Sequence, residues 1–221
     1  MNYFAHGLAH IDQPYFLAGT AVPDWLSVVD RKVRARAKGA KLLVDDGDPQ
    51  VAAVAAGIVR HHYDDDWFHQ TRAFAELTWH FTVKIRDTLQ NSEGASDDGL
   101  RPSFLGHILV ELLLDAVLIE ESPGKLDEYY GALESVDAMV VEKTVNRIAA
   151  RRTDRLHEFI GLFRTHRFLF DYANDEKLLF RLNQVMQRVK LAVLPADLLQ
   201  LFPEFRKVVR NRRAELLTAN S

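Results

Sequence analysis

The sequence contains no cysteine, and this absence excludes disulfide bonds, thiolate metal ligands and a cysteine nucleophile. Any metal ion must therefore be held by nitrogen and oxygen ligands. The lack of cysteine also fits a reducing compartment, and we expect a cytoplasmic protein. His6, His10 and Asp12 interrupt the first apolar stretch, and no basic start precedes it, so we expect no signal peptide.

Strong positive charge is also absent, since the formal net charge of the 221 residues is -3. Nucleic-acid binding depends on neutralising phosphates with a basic surface, so we expect no nucleic-acid partner. The sequence has no glycine-rich phosphate loop and no serine flanked by glycines as in a nucleophile elbow. Nucleotide binding through such a loop and serine hydrolase chemistry therefore have no local support.

No apolar run reaches the length of about 20 residues that a bilayer requires. The longest apolar segment, residues 104–119, is interrupted by His107, Glu111 and Asp115. We therefore expect this segment to form a buried helix, and we expect no membrane association.

Apolar residues recur every three or four positions through most of the chain, which predicts helices, whereas sustained alternation is hard to find. Hydrophobic residues make up 48% of the sequence and charged residues 27%, the balance of a globular protein. The predicted fold is all-α, a single-domain helical bundle over residues 1–221. Helices are expected over residues 2–11, 24–37, 50–60 or beyond, 67–90, 103–120, 126–133, 136–170 with a break, 176–193 and 198–217.

Two local signals mark the limits of predicted elements. Pro23 and Asp24 suit the first turn of a helix, so a helix start is predicted there. Residues 91–102 are rich in Ser, Gly, Asp and Pro, a composition typical of an exposed loop. We expect this loop to divide two halves of one domain.

The residues most informative about function are His107, Glu111 and Asp115, which follow one another at intervals of four in the apolar segment. On a helix they share one face, and nearly every other position nearby is apolar. Carboxylates in a low-dielectric interior must be solvated, paired with cations or bound to metal. The stripe therefore predicts a metal site, with a water-facing or arginine-paired stripe as the alternative.

Two further segments place histidine at four-residue spacing. In the first, His6 and His10 are followed by Asp24. In the second, residues 57–69, the spacing joins His61, Asp65 and His69, with a solvated helix end as the alternative reading. We interpret the adjacent His62, Asp64 and Asp66 as spectators. Six of the nine histidines fall in these three segments, which makes accidental spacing less probable in all of them.

The chain resembles the acyl carrier protein phosphodiesterase family, which is distantly related to the HD-domain phosphohydrolases. The resemblance rests on the opening Met1-Asn2-Tyr3-Phe4-Ala5-His6, on Gly19 to Asp24, on Gly57-Ile58 followed by His61 and Asp65, and on His107 within an apolar helix. It covers roughly the first half of the chain. It implies an HD-domain-like helical fold and a divalent ion, typically manganese. The implied reaction cleaves the phosphodiester that joins phosphopantetheine to a serine of acyl carrier protein.

By position, the resemblance implies that Asp24, His61, Asp65 and His107 are metal or catalytic residues, with His6 near the same cleft. Spacing adds Glu111 and Asp115. The metal ligands predicted are His6, Asp24, His61, His107 and Glu111. Asp65 and Asp115 are the predicted catalytic carboxylates, which would orient the attacking water or accept its proton.

The family typically has an acid directly before the third-segment histidine, where this chain has Gly106, and a further acid near the position of Phe68 and His69. This departure leaves the metal and the substrate open. Manganese is the expected ion, with iron or zinc as alternatives, and acyl carrier protein or another phosphoester is the expected substrate. Two alternative functions are open: a non-catalytic helical protein that binds a partner or a phosphorylated ligand, and a di-metal oxygenase.

Overall fold

The computed structural model describes residues 1–91 and 100–219. These residues form helices joined by turns, with no strand in either described range, so the all-α prediction is confirmed. Most of the predicted exposed loop, residues 92–99, lies outside the described residues. Helix α5 ends at Asn91, and helix α6 begins at Pro102.

The helices follow one another along the chain with short connections. In order they are α1 (Tyr3–Gly7), α2 (Pro14–Val29), α3 (Ala37–Ala40), α4 (Pro49–His69), α5 (Arg72–Asn91), α6 (Pro102–Glu121), α7 (Pro123–Glu134), α8 (Ala138–Ile148), α9 (Leu156–His166), α10 (Asp175–Arg188) and α11 (Phe202–Leu216). Short 3₁₀ helices lie at Leu8–His10, Lys41–Leu43, Phe168–Ala173 and Ala196–Leu201.

The chain divides into two compact units. The N-terminal unit comprises Asn2–Asp66 and Ser122–Phe168, and it holds α1 to α3, most of α4, and α7 to α9. The C-terminal unit comprises Met1, Trp67–Glu121 and Leu169–Ser221, and it holds the end of α4 with α5, α6, α10 and α11. That both units belong to one domain stays a prediction.

Aromatic side chains form the core of the N-terminal unit. The Phe163 ring lies 5.1 Å from the ring of Tyr3, 5.4 Å from that of Trp25 and 5.5 Å from that of Tyr130, centroid to centroid. These residues are almost completely buried, and tilted and edge-to-face ring pairs of this kind add to the free energy gained by burial. The cluster holds α2 against α7 and α9.

The predicted helix start at Pro23 and Asp24 is wrong. Helix α2 begins at Pro14, and Pro23 lies inside it. Proline has no backbone N–H, so Pro23 cannot donate the helical hydrogen bond to the carbonyl of Gly19, and its ring crowds that carbonyl. The buried apolar residues on both sides of Pro23 outweigh this loss, so the helix continues to Val29.

Two other predicted helices are interrupted. Residues 67–90 contain a break at Gln70 and Thr71, where α4 ends and α5 begins. The Thr71 hydroxyl accepts a hydrogen bond from the backbone N–H of Phe74, as an N-cap residue does. The expected break in residues 136–170 is confirmed, because residues 149–155 separate α8 from α9.

Helix α6 forms the centre of the C-terminal unit. Twelve of its residues are buried, as predicted, and it packs against α5 and α11. Among the described residues, it is the one helix whose length and apolar composition would allow a membrane crossing, and 67% of that apolar window is buried within the structure. Phe81 of α5 stacks on Phe205 of α11, with ring centroids 3.8 Å apart.

Candidate metal sites

Helices α2 and α4 come into backbone contact at two glycines. A Cβ atom on Gly57 would lie 2.1 Å from the carbonyl oxygen of Phe16 and 2.8 Å from the Cα of Gly19. A Cβ on Gly19 would lie 2.3 Å from the carbonyl oxygen of Val54. These separations are shorter than van der Waals contact, so only glycine fits at either position. The close approach brings side chains of α4 to backbone groups of α2.

Three side chains of the N-terminal unit converge to form the His6 cluster, which consists of His6, His61 and Asp65. Their ligand atoms all lie within 4.8 Å of one another. His6 Nε2 is 3.2 Å from Asp65 Oδ1, and His61 Nε2 is 3.3 Å from Asp65 Oδ2. Two imidazole nitrogens therefore face the two oxygens of one carboxylate.

The protonation of His61 follows from its neighbour on α2. Its Nδ1 lies 2.8 Å from the backbone carbonyl oxygen of Thr20. A carbonyl oxygen only accepts, so Nδ1 carries the proton and donates. In a neutral imidazole, Nε2 then has a lone pair, and it faces a carboxylate oxygen of Asp65. Two lone pairs at this distance repel, so the contact requires a positive charge, supplied by a second ring proton or a metal ion.

His6 is completely buried, and its ring stacks on that of His61 with centroids 4.2 Å apart. Its Nδ1 lies 3.6 Å from Asp64 Oδ2. Within the described residues, neither ring nitrogen of His6 makes a hydrogen bond of acceptable geometry, although carboxylates lie beside both. A buried polar group in this state costs about 1–3 kcal/mol, and coordination of an ion at Nε2 would remove that penalty.

The cluster carries negative charge. Burial alone would raise the pKa of the Asp65 carboxyl, but the imidazoles of His6 and His61 hold it well below its usual range. For Asp64, burial again opposes ionisation, and the neighbouring His6 and Arg60 lower the pKa. The Arg60 Nε lies 2.8 Å from Asp64 Oδ1. With both imidazoles neutral, two carboxylates and one guanidinium leave one negative charge, which a bound cation would balance.

A second group lies in the C-terminal unit. This His107 cluster consists of His69 at the end of α4, with His107 and Glu111 on α6, and its ligand atoms also lie within 4.8 Å of one another. His69 Nε2 is 2.8 Å and His107 Nε2 is 3.2 Å from the same oxygen, Glu111 Oε1. The Phe74 ring packs edge-on against both imidazoles, with centroids 4.8 Å and 4.9 Å away.

Glu111 is ionised in this setting. Burial would raise the pKa of its carboxyl, but the ammonium group of Met1 and the imidazoles of His107 and His69 lower it to about 2. The Met1 nitrogen is 3.8 Å from Glu111 Oε1. The carboxylate therefore stays charged at neutral pH and is surrounded by groups that stabilise a negative charge.

The structure brings together five of the seven predicted site residues, in two groups. His6 and His61 face Asp65, and His107 faces Glu111. Both oxygens of Asp65 face imidazoles, which favours a ligand role over that of a general base. Neither cluster among the described residues includes Asp24, which is half-buried on α2, or Asp115, which is fully buried on α6.

Three other residues near the predicted site take roles that spacing alone does not give. His10 packs against the ring of Phe16, with centroids 4.5 Å apart, and does not join His6. His62 Nε2 donates to the carbonyl oxygen of Ala35 at 2.7 Å. Asp64, interpreted as a spectator, is buried beside His6. Its four-residue spacing from Arg60 is the sequence signal that could have identified it.

Comparisons with known proteins add no relative. No family model, curated protein or solved structure matches the chain. The chemistry of the two clusters is therefore the structural feature that indicates a function.

Proposed function

We propose that the protein is a metal-dependent phosphoester hydrolase whose ion is held by the His6 cluster. The observation that carries this proposal is the contact between His61 Nε2 and Asp65. The Thr20 carbonyl holds the proton of His61 on Nδ1, so Nε2 is presented as a ligand. Histidine ligands of metal ions are held in the same way, by donating their other N–H to a carbonyl or carboxylate.

The distances within the cluster suit a single ion. Ligands that bind one ion at about 2.0–2.2 Å lie roughly 3 Å from one another. The nitrogen–oxygen separations of 3.2 Å and 3.3 Å agree with that spacing. Two imidazole nitrogens and a carboxylate suit Mn²⁺, Fe²⁺ or Zn²⁺ better than Mg²⁺ or Ca²⁺. Three protein ligands also leave coordination positions for water and for a substrate oxygen.

A bound divalent ion supplies a water of lowered pKa and polarises the phosphoryl oxygen. The residues of the chain hold the ion and orient its ligands. Asp65 is 31% exposed, so the open side of the cluster lies at its carboxylate. Asp64 faces Nδ1 of the buried His6 and keeps that ring in place, while Arg60 balances the charge of Asp64.

The finer proposal concerns the substrate. A phosphodiester is the substrate class, and removal of phosphopantetheine from acyl carrier protein is the specific reaction that we propose. An HD-domain-like arrangement of the helices belongs to the same proposal. Both rest on the residues shared with the acyl carrier protein phosphodiesterase family, chiefly His6, the Gly19 to Asp24 segment, His61 and Asp65.

A second candidate function has a specific observation in its favour. Two histidines and one carboxylate with open positions are also the ligand set of non-haem iron oxygenases. Anaerobic loading with Fe²⁺, followed by exposure to oxygen, separates the two functions. An oxygenase would consume oxygen with an organic substrate, whereas a hydrolase would work equally well without oxygen.

The decisive experiment uses the full chain, stripped of metal and reloaded separately with Mn²⁺, Fe²⁺ and Zn²⁺. Hydrolysis of bis(4-nitrophenyl) phosphate and release of phosphopantetheine from acyl carrier protein are both measured. At least one ion should support hydrolysis, chelation should abolish it, and His61→Ala should lack it. The control is His166→Ala, which changes an exposed histidine of the same unit. An ion-loaded protein inert on both substrates would favour the non-catalytic function.

A further inference from the structure

We infer that the His107 cluster is a second metal site, which binds a divalent transition-metal ion through His69, His107 and Glu111. This inference does not depend on the proposed hydrolase activity. The sequence predicts that His107 lines the same pocket as Asp24 and His61, with either Glu111 or Asp115 at its border. In the structure the third partner of His107 and Glu111 is His69, which belongs to the same unit and which the spacing rule had joined to His61 and Asp65 instead.

The first support is convergence. His69 Nε2 and His107 Nε2 approach one oxygen of Glu111, at 2.8 Å and 3.2 Å. All three residues stand on helices, since His69 closes α4 and the other two are one turn apart on α6. Helical backbone fixes the three Cβ atoms, so the donor atoms are held together before an ion binds. Such preorganisation reduces the entropy lost on binding.

The second observation is the packing that holds the two imidazole rings in place. Phe74 packs edge-on against both imidazoles, at interplanar angles of 61° to His69 and 87° to His107. The two imidazole rings lie 4.9 Å apart, centroid to centroid, and are inclined by 34°. Packing of this kind restricts rotation of the rings, so each Nε2 continues to point at the carboxylate.

The third support is the combination of charge and access. Glu111 is only 15% exposed, whereas the side chains of His69 and His107 are 33% and 41% exposed. The carboxylate of Glu111 is therefore partly shielded from water, and its attraction for a cation is stronger than it would be in solvent. The more exposed imidazoles leave a path by which an ion can enter. The Met1 ammonium beside Glu111 is the cationic group that an incoming ion must compete with.

The ligand set defines the class of ion. Imidazole nitrogen suits Zn²⁺, Fe²⁺, Ni²⁺ and Cu²⁺, whereas Mg²⁺ and Ca²⁺ prefer sites made wholly of oxygen. Three protein ligands around an ion leave at least one position for water. The alternative is a purely hydrogen-bonded cluster, in which both imidazoles donate an Nε2 proton to Glu111 and no ion binds.

The test is equilibrium binding of Co²⁺ to metal-free full-length protein, followed by visible absorption and by isothermal titration. A His61→Ala background removes a ligand of the His6 cluster, which shares no residue with the His107 cluster. In that background we expect one bound Co²⁺ per chain. Adding His69→Ala or His107→Ala should weaken its binding more than about 100-fold, because loss of even an outer partner weakens metal sites about 10–100-fold.

Controls keep the outcome interpretable. His80→Ala, which changes a half-buried histidine of the same unit that belongs to neither cluster, should leave the affinity unchanged. If an alanine variant fails to fold by circular dichroism, Glu111→Gln preserves the side-chain volume and should weaken binding as strongly. The inference is overturned if the His61→Ala protein binds no Co²⁺, or if its Co²⁺ affinity is unchanged by losing His69 or His107. Failure of the proposed hydrolase would instead appear as an inactive protein with its His6 cluster loaded.

Discussion

His61 donates its Nδ1 proton to the backbone carbonyl oxygen of Thr20 across 2.8 Å, and this bond joins α4 to α2. It forms because Gly19 and Gly57 allow the two helices to touch along their backbones. Gly19 and Gly57 have no side chain that could take part in catalysis, yet their contact positions His61, which lies one turn after Gly57 on α4. The orientation of a metal ligand depends here on helix packing.

The first prediction concerns Gly57→Ala. The added Cβ would overlap the carbonyl of Phe16, and overpacking of this kind costs about 1–3 kcal/mol. That loss exceeds the gain of about 1 kcal/mol expected when alanine replaces a helical glycine. We expect a lower free energy of unfolding, measured by denaturant titration, and weaker ion binding by the His6 cluster.

The control for this substitution is Gly131→Ala on α7 in the same unit. Among the described residues, no atom outside the adjacent backbone of α7 lies within 4 Å of a Cβ built there. This variant should be more stable than the wild type, by up to about 1 kcal/mol. If both variants change stability in the same direction and by the same amount, the role given to the α2–α4 contact is wrong.

The second prediction separates Asp64 from Asp65. Asp65→Asn removes a ligand and should abolish ion binding by the His6 cluster. Asp64→Asn removes the charge beside His6 Nδ1 and should weaken binding about 10–100-fold, as loss of an outer partner does. The exposed Asp66 supplies the control, and Asp66→Asn should bind normally. Equal effects of the Asp64 and Asp66 substitutions would return Asp64 to the role of spectator.

The third prediction is a pH dependence at the start of α9. Glu142 of α8 accepts hydrogen bonds from the backbone N–H and from Nδ1 of His157, and this contact raises the pKa of the imidazole. A pKa raised by folding stabilises the folded state fully below the unfolded value, about 6.5. The stabilisation is lost as the pH rises through the folded pKa.

We therefore expect His157→Gln to lower the melting temperature more at about pH 5.5 than at about pH 9, where the wild-type imidazole is neutral. His166→Gln, in the last turn of the same helix, is the control; within the described residues it has no carboxylate contact like that of His157, so only the helix dipole acts on it and the difference between the two pH values should be smaller. A His157→Gln effect that is equal at both pH values would mean that the charged contact with Glu142 does not stabilise the fold.

The sequence predicted the helices well where apolar periodicity was long, as in α4 and α6. The predicted helix start at Pro23 is wrong, because the preference of proline for the first turn of a helix takes no account of how deeply the surrounding turns are buried. Four-residue spacing correctly paired His61 with Asp65 and His107 with Glu111. It could not show that His69 turns toward Glu111, since helix-to-helix contacts are set by packing between residues distant in sequence.

The fourth prediction explains the departure from the family pattern at Gly106. A Cβ there would lie 2.7 Å from the carbonyl oxygen of Thr78 and 2.6 Å from the hydroxyl of Thr82, both on α5. Gly106→Asp should therefore lower the free energy of unfolding by about 1–3 kcal/mol through overpacking, and add no ligand to the His107 cluster. Ser103→Asp, exposed in the first turn of α6 where a negative charge is favourable, should be tolerated. A stable Gly106→Asp protein with tighter metal binding would contradict this explanation.

The last prediction compares His6→Ala and His107→Ala in metal-free protein. The His6 side chain is completely buried and stacks on His61, so its truncation opens a cavity beside Asp64 and Asp65. The cavity, the lost stacking and the two carboxylates left without this partner outweigh the relief of its unsatisfied ring nitrogens, so we expect a loss of about 1–3 kcal/mol in the free energy of unfolding. His107 is 41% exposed, and its truncation leaves Glu111 in contact with His69, so the loss should be about 1 kcal/mol or less.

Denaturant titrations with a chelator present measure both values, and the same proteins are then tested for ion binding. A large loss of stability in His107→Ala with unchanged metal affinity would show that His107 is structural. Because His107 is partly open to solvent and close to a charged carboxylate, we expect the opposite result. Its removal should abolish ion binding at the His107 cluster while the metal-free fold remains nearly as stable as the wild type.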